Sequence, residues 1–329
     1  MTPDPAMPMT AAPTRAAAGI AYGAGAGALW GLVFLAPELV RGFGPLQLSA
    51  GRYAFYGLIA AVLIAPRWRA IRGFVSRRQW VNLFWLALAG NTLYYILLSA
   101  AVQMGGIAMT SLVIGFLPVA VTVIGSRDRG AVPLGRLLPS LSLCALGALC
   151  IGWQALVAPA AGSPGRQAVA LACAVGALVS WTAFAVGNAR CLAHLHEVSA
   201  HDWNLLTGLV TGAQSLVLIP LAFALESTGQ GAAEWTRFAA VSVAVAVLAS
   251  MLGNACWNRM SRLLPLTLVG QMILFETLFA LVYGWMWERR APTLAETLAL
   301  GCVVLSVLSC LAAHRRVGGL GAAAGPAGA

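Results

Sequence analysis

Between Gln79 and Ser126 the chain runs for 48 residues without a single charged side chain. A bilayer's hydrocarbon core is roughly 30 Å thick and is crossed by about 20 apolar residues in a helix, so this stretch is too long for one crossing and suits two. Similar apolar runs recur from Ala18 to the C-terminal region, separated by short polar punctuation. Charged residues make up 9% of the sequence, hydrophobic residues 60%, and mean hydropathy is +0.83. An ordinary soluble domain carries about a quarter charged residues, so water cannot cover this fold. Lipid satisfies no open backbone group, so each run must be a helix. The alternating segments of about 10 residues that build a membrane barrel are absent.

The expected class is therefore an all-α integral membrane protein. Charges, prolines and glycines place ten spans at 18–37, 46–65, 79–101, 106–125, 136–157, 168–189, 203–225, 237–260, 264–286 and 296–313. The long uncharged stretch divides at Met104-Gly105-Gly106. Residues 1–17 read as a cytoplasmic tail, 18–157 as a first five-helix repeat, and 158–167 as a Pro/Gly/Ala linker. Residues 168–316 make the second repeat, and 317–329 a flexible C-terminal tail.

All 20 basic residues are arginine. Without lysine there is neither a Walker A loop nor a retinal Schiff base, so an on-chain ATPase and a rhodopsin are excluded. The formal charge of +10 reports orientation, not nucleic-acid binding. With the N-terminus inside, the inner side collects Arg15, Arg67, Arg69, Arg72, Arg77, Arg78, Arg127, Arg129, Arg136, Arg190, Arg259, Arg262, Arg315 and Arg316. The outer side keeps Arg41, Arg166, Arg237, Arg289 and Arg290, diluted by five glutamates. The expectation is a multi-pass protein of a bacterial-type inner membrane with both termini cytoplasmic. The seven cysteines form no CxxC pair and read as packing residues.

Trp80, Trp153, Trp203, Trp235, Trp285 and Trp287 fall near expected helix ends and read as headgroup anchors. Gly23, Gly27 and Gly31, and again Gly208 and Gly212, recur every fourth residue and mark faces where helices approach closely.

Shifting the chain by 159 residues lays the third and fourth helices on the eighth and ninth, matching Ile114 with Ile273, Phe116 with Phe275, Val123 with Val282 and Gly125 with Gly284. A shift of 151 brings Trp30 onto Trp181. Pairing Gly90-Asn91 with Gly253-Asn254 requires a deletion and is set aside as coincidence. Repeats of five helices, an odd number, must lie in opposite senses, as in many secondary transporters with a solute site near mid-membrane.

Polar groups at membrane depth need protein partners or an aqueous cavity. Asn91, Tyr94 and Tyr95 share a helix face, as do Ser180, Phe184 and Asn188 beside Trp181, and Ser250, Asn254, Trp257 and Asn258. Each is open to two readings, interhelical bonding or contact with a small polar solute. Glu276 stands well inside the ninth span, about 18 Å from its inner end at 1.5 Å per residue. It is a candidate proton or cation site, with a structural pair to Arg52 as the rival. His194, His196, Glu197, His201 and Asp202 cluster in a loop without HExxH spacing, which argues for a polar loop over a metal centre.

The sequence resembles the EamA-type drug/metabolite transporter superfamily through Ala28-Leu29-Trp30-Gly31 and Val179-Ser180-Trp181, Ala50-Gly51-Arg52-Tyr53, Thr110-Ser111 through Leu117-Pro118, and Phe275-Glu276-Thr277 followed by Gly284 and Glu288. Where that family often has Glu-Pro, this chain has Glu276-Thr277. Ala255-Cys256-Trp257-Asn258 and the tyrosine-bearing third helix are similar to its amino-acid exporters, including the aromatic amino-acid branch. The resemblance implies ten helices in two inverted repeats, and a cavity lined by the first, third, fourth, sixth, eighth and ninth helices. It further implies export of amino acids or related small metabolites by alternating access, without a bound cofactor or metal and without enzymatic activity. Substrate-binding candidates are Trp30, Asn91, Tyr94, Tyr95, Ser111, Trp181, Asn254, Trp257 and Gln271, with Glu276 and Arg52 as coupling or structural charges. The expected partners are a small-molecule substrate and the lipid bilayer. A multidrug or nucleotide-sugar carrier and an intramembrane enzyme stay open as alternatives.

Overall fold

The computed structural model describes residues 11–127, 132–157, 164–195, 198–264 and 266–323, and all regular structure among them is helical. The principal elements are α1 (Ala11–Gly31), α2 (Pro45–Ile64), α3 (Arg77–Ala87), α4 (Leu93–Ile114), α5 (Leu117–Gly125), α6 (Leu134–Val157) and α7 (Pro164–His194). They continue as α8 (Ala200–Leu225), α9 (Ala232–Val245), α10 (Asn254–Leu263), α11 (Leu266–Met272), α12 (Leu274–Glu288) and α13 (Leu294–Ala323). Two π-helical segments, Leu88–Thr92 and Ala246–Gly253, join α3 to α4 and α9 to α10.

Seven helical stretches among the described residues are long and apolar enough to cross a membrane: Ala16–Leu39, Pro45–Phe74, Arg77–Ile107, Gly165–Ala193, Ala200–Leu225, Ala232–Leu263 and Leu268–Trp287. Two shorter apolar helices, Leu134–Gly147 and Leu294–Cys310, accompany them. The expected division of the long uncharged stretch falls at Gly106, where φ is 82° and the helix is broken. Only glycine takes that backbone freely. Helix α1 starts at Ala11, inside the stretch expected as a tail, and α13 continues past position 317. Helix α7 opens on Pro164, whose missing N–H costs nothing at a helix start, so the expected linker shortens from its C-terminal side. Its other residues, 158–163, lie outside the described residues.

Lipid offers no hydrophobic drive between helices, so close packing of small residues and hydrogen bonds must hold them together. The seam between α2 and α8 uses both. A Cβ on Gly57 would lie 2.4 Å from the Gly212 Cα, so the two backbones touch. At one end of the seam the Glu226 carboxylate accepts the Leu46 and Gln47 backbone N–H groups, each at 2.8 Å, filling donors left open at the α2 N-terminus. At the other end Arg67 grips Asp202 at 2.8 and 3.0 Å. Helices α6 and α13 are laced by a reciprocal pair: the Ser140 hydroxyl donates to the Ser306 carbonyl at 2.9 Å, and Ser306 returns the bond at 2.7 Å.

The α1 glycines meet α12 as their spacing implies. A Cβ on Gly27 would lie 2.8 Å from the Glu276 backbone nitrogen, and one on Gly31 would lie 2.9 Å from that of Ala280. That contact fixes Glu276 against α1. Trp203, expected as a headgroup anchor, is 1% exposed, and its indole N–H donates to Asn188 at 2.8 Å. Its position near the start of α8 faces the bundle, where buried amides can satisfy it.

Candidate functional site

The site is organised by the two π segments. Widening a helix by one residue loosens the backbone ladder, and the affected carbonyls need outside donors. Both segments receive two. In Leu88–Thr92, the Ser180 hydroxyl donates to the Ala89 carbonyl at 2.7 Å and Ser49 to that of Thr92 at 3.3 Å. In Ala246–Gly253, the Trp30 indole N–H donates to the Ala249 carbonyl at 3.0 Å and the Asn204 amide to that of Met251 at 3.0 Å. Each segment also brings a glycine under an aromatic ring. A Cβ on Gly90 would lie 2.2 Å from Phe184 Cγ, and one on Gly253 2.6 Å from Trp30 Nε1. The pairing of Gly90-Asn91 with Gly253-Asn254, set aside on sequence alone, thus corresponds to a shared local structure.

Between these segments lies a small cavity lined by Trp30, Val33, Arg52, Tyr53, Gly90, Asn91, Tyr94, Trp181, Phe184, Asn254 and Glu276. Its volume, measured at the centre of a water-sized sphere, is about 20 Å³, room for about one water. Three indoles close it on one side: Trp30 and Trp181 lie 5.5 Å apart edge to face, and Trp257 stands 5.1 Å behind each. Phe184 extends this wall at 5.7 Å from Trp181, and Tyr94 meets Trp181 at 6.3 Å.

Two charged side chains reach the cavity. Arg52 is 5% exposed, with its guanidinium carbon 4.9 Å from the Tyr53 ring centre and 4.4 Å from that of Tyr95. Its Nε donates to the Ser250 hydroxyl at 2.9 Å. Cation–π contact on two rings offsets part of the cost of burying the charge. Glu276 is 3% exposed; Tyr94 donates to its Oε1 at 3.3 Å, while Oε2 receives no hydrogen bond. Among the described residues no ion pair joins Glu276 to Arg52, so the structural pair weighed as their rival role is not formed.

Seven of the candidate residues, Trp30, Arg52, Asn91, Tyr94, Trp181, Asn254 and Glu276, line this one cavity. Tyr95 and Trp257 stand directly behind it, against Arg52 and the indole pair. Ser111 and Gln271 do not reach it: both are fully buried, and Gln271 accepts from Ser306 at 3.3 Å, on the α13 side. The second expected span, absent from the expected lining, contributes Arg52 and Tyr53, whereas the fourth expected span, 106–125, contributes nothing to it. Val33, Tyr53, Gly90 and Phe184 were not among the candidates. A signal for Phe184 existed in its i+4 relation to Ser180. Asn188 and Asn258 bond each other at 3.1 Å, away from the cavity.

Of the cluster expected in the loop after α7, His201 and Asp202 fall in the first turn of α8, where Asp202 is held by Arg67 and by the Ser199 hydroxyl at 2.7 Å, while His196 and Glu197 lie outside the described residues. No group of three or more His, Cys, Asp or Glu among the described residues is placed to hold a metal ion.

No family model matches the sequence. A crystal structure with 18% sequence identity superposes with a TM-score of 0.67 over 91% of this chain and 98% of that one, a likeness of fold. Inner membrane protein YtfF of Escherichia coli (strain K12) is 31% identical over 304 residues, 88% of this chain and 94% of that protein. With that extent of identity, and with helices of membrane-crossing length and composition, the chain belongs to the family of inner membrane protein YtfF and is a multi-pass protein of the inner membrane.

Proposed function

We propose that this protein is a secondary transporter that exports amino acids or related small metabolites by alternating access, a member of the EamA-type drug/metabolite transporter superfamily and not an enzyme. The observation that carries this reading is the cavity. Its lining comes from both sides of residues 158–163: α1, α2, the first π segment and α4 on one side, and α7, α10 and α12 on the other. A chamber shared by two halves can open to either face when the halves tilt.

Ten spans in two inverted halves are part of the same proposal. It is supported by the two π segments at matching places and by helix breaks at 115–116 and at Ile273, which the 159-residue shift brings together to within about one residue. The contact pattern is also reciprocal. Helix α1 packs on α10 and the second π segment, while α7 packs on α3 and the first. Helices α2 and α8, α5 and α11, and α6 and α13 then pair across the halves. A buried guanidinium and a buried carboxyl group in one chamber favour a solute with both polar ends over an apolar drug.

The test is counterflow in proteoliposomes against a panel of labelled amino acids, with and without a pH gradient. Saturable uptake of at least one is expected. Silence across the panel, with uptake of a drug or a nucleotide sugar, would move the substrate to the other branch of the superfamily; silence for all solutes would contradict the carrier reading.

A further inference from the structure

Arg52 and Glu276 present a buried guanidinium and a buried carboxylate to one cavity without forming an ion pair with each other. Each is held from behind. Ser250 accepts from Arg52 Nε at 2.9 Å, the Tyr53 and Tyr95 rings lie 4.9 and 4.4 Å from its guanidinium carbon, Tyr95 also shares a side-chain hydrogen bond with it, and the side chain lines the cavity where a guest would meet it. Tyr94 occupies Glu276 Oε1 at 3.3 Å, and Oε2 receives no hydrogen bond although it is buried. A buried charge without its counter-charge costs several kcal/mol. A guest with two opposite charges satisfies both groups and leaves the net charge of the chamber unchanged. A guest with one charge satisfies only one.

We propose that the site recognises the zwitterionic head of an α-amino acid at two points: Arg52 reads the carboxylate and Glu276 Oε2 reads the ammonium. The apolar remainder of the guest lies along Trp30, Trp181 and Phe184. This inference rests on the carrier reading and narrows it to solutes carrying both groups. The cavity as it stands admits about one water, so a guest is held only once the walls part. Trp30 and Phe184 lie against the glycines of the two π segments, where the backbone ladder is least regular.

The experiment is competition against counterflow of labelled L-leucine and L-phenylalanine in proteoliposomes. The competitors are the unlabelled amino acids, their methyl esters, which keep the ammonium and lose the carboxylate, and 4-methylpentanoate and 3-phenylpropanoate, which do the reverse. The intact zwitterion should compete at least about tenfold better than either half-analogue, as expected when a buried polar group is left unpaired. Arg52→Gln should shrink the gap to the ester alone, and Glu276→Gln the gap to the deaminated acid alone. Should a variant fail to fold, the wild-type competition still decides. Esters or deaminated acids that compete as well as the zwitterion would overturn the two-point reading while saturable counterflow leaves the carrier intact. Absence of saturable counterflow for every amino acid would also overturn the two-point reading, and silence for every solute would overturn the carrier reading itself.

Discussion

The two π segments solve one problem with different materials. Both free backbone carbonyls near the middle of a long helix, both take one donor from a helix across the cavity, and both tuck a glycine beneath an aromatic ring. In the first segment the donor and the ring are separate residues, Ser180 and Phe184. In the second one residue, Trp30, supplies both, and the segment is longer, eight residues against five. Trp30 thus ties helix geometry to the cavity wall, whereas on the opposite side the tie and the wall can be altered independently. Two sites of similar shape can therefore differ in how tightly structure and binding are coupled.

That contrast can be broken by filling the glycines. Gly90→Val and Gly253→Val each force atoms into an occupied ring and should lower stability by about 2–3 kcal/mol, read as a fall in thermal unfolding temperature in detergent. Shortening the opposing ring separates them. Phe184→Ala should restore most of the stability lost in Gly90→Val. Trp30→Ala should restore Gly253→Val only in part, because the Ala249 carbonyl then loses its donor. Equal rescue on both sides would contradict the dual role of Trp30.

A smaller effect follows from removing the donors alone. Trp30→Phe and Ser180→Ala should each cost about 1–2 kcal/mol, within the range for a buried hydrogen bond inside a membrane protein. The tryptophan change should be the larger, since Trp30 also packs on Trp181 and Trp257. Only the tryptophan change should also alter transport affinity, which counterflow measures. The smallest effect belongs to Ser49→Ala, below about 1 kcal/mol, because its bond to the Thr92 carbonyl is long at 3.3 Å. A loss there as large as for Trp30→Phe would mean that the first segment depends on the donor from its own half.

Much of this architecture was legible in the residues because membrane constraints are severe. A charge-free run must span, a glycine every fourth position must pack closely, and a charge at depth must meet either a partner or a cavity. Those rules led to the close-packed glycine face of α1 and to Arg52 and Glu276 at depth, while Trp30 and Trp181 came from the 151-residue shift and the family resemblance. The π segments left no local signature, since neighbouring donors and not the segment's own side chains stabilise them. Ser111 and Gln271 do not line the cavity; Ile273 interrupts the helix that carries Gln271, and nothing local marked Ser111 as turned away. Trp203 shows that a tryptophan near a helix end is an anchor only when it faces lipid.

The central claim is that one polar chamber, walled by both halves, is reached in turn from the two sides of the membrane. Its most direct test is a cysteine-free background carrying Asn254→Cys, treated with a membrane-impermeant thiol reagent in right-side-out and in inside-out vesicles. Labelling from both sides, slowed in each by a saturating transported solute, is the result expected of such a chamber. Labelling from one side only under all conditions, or from neither, would contradict it.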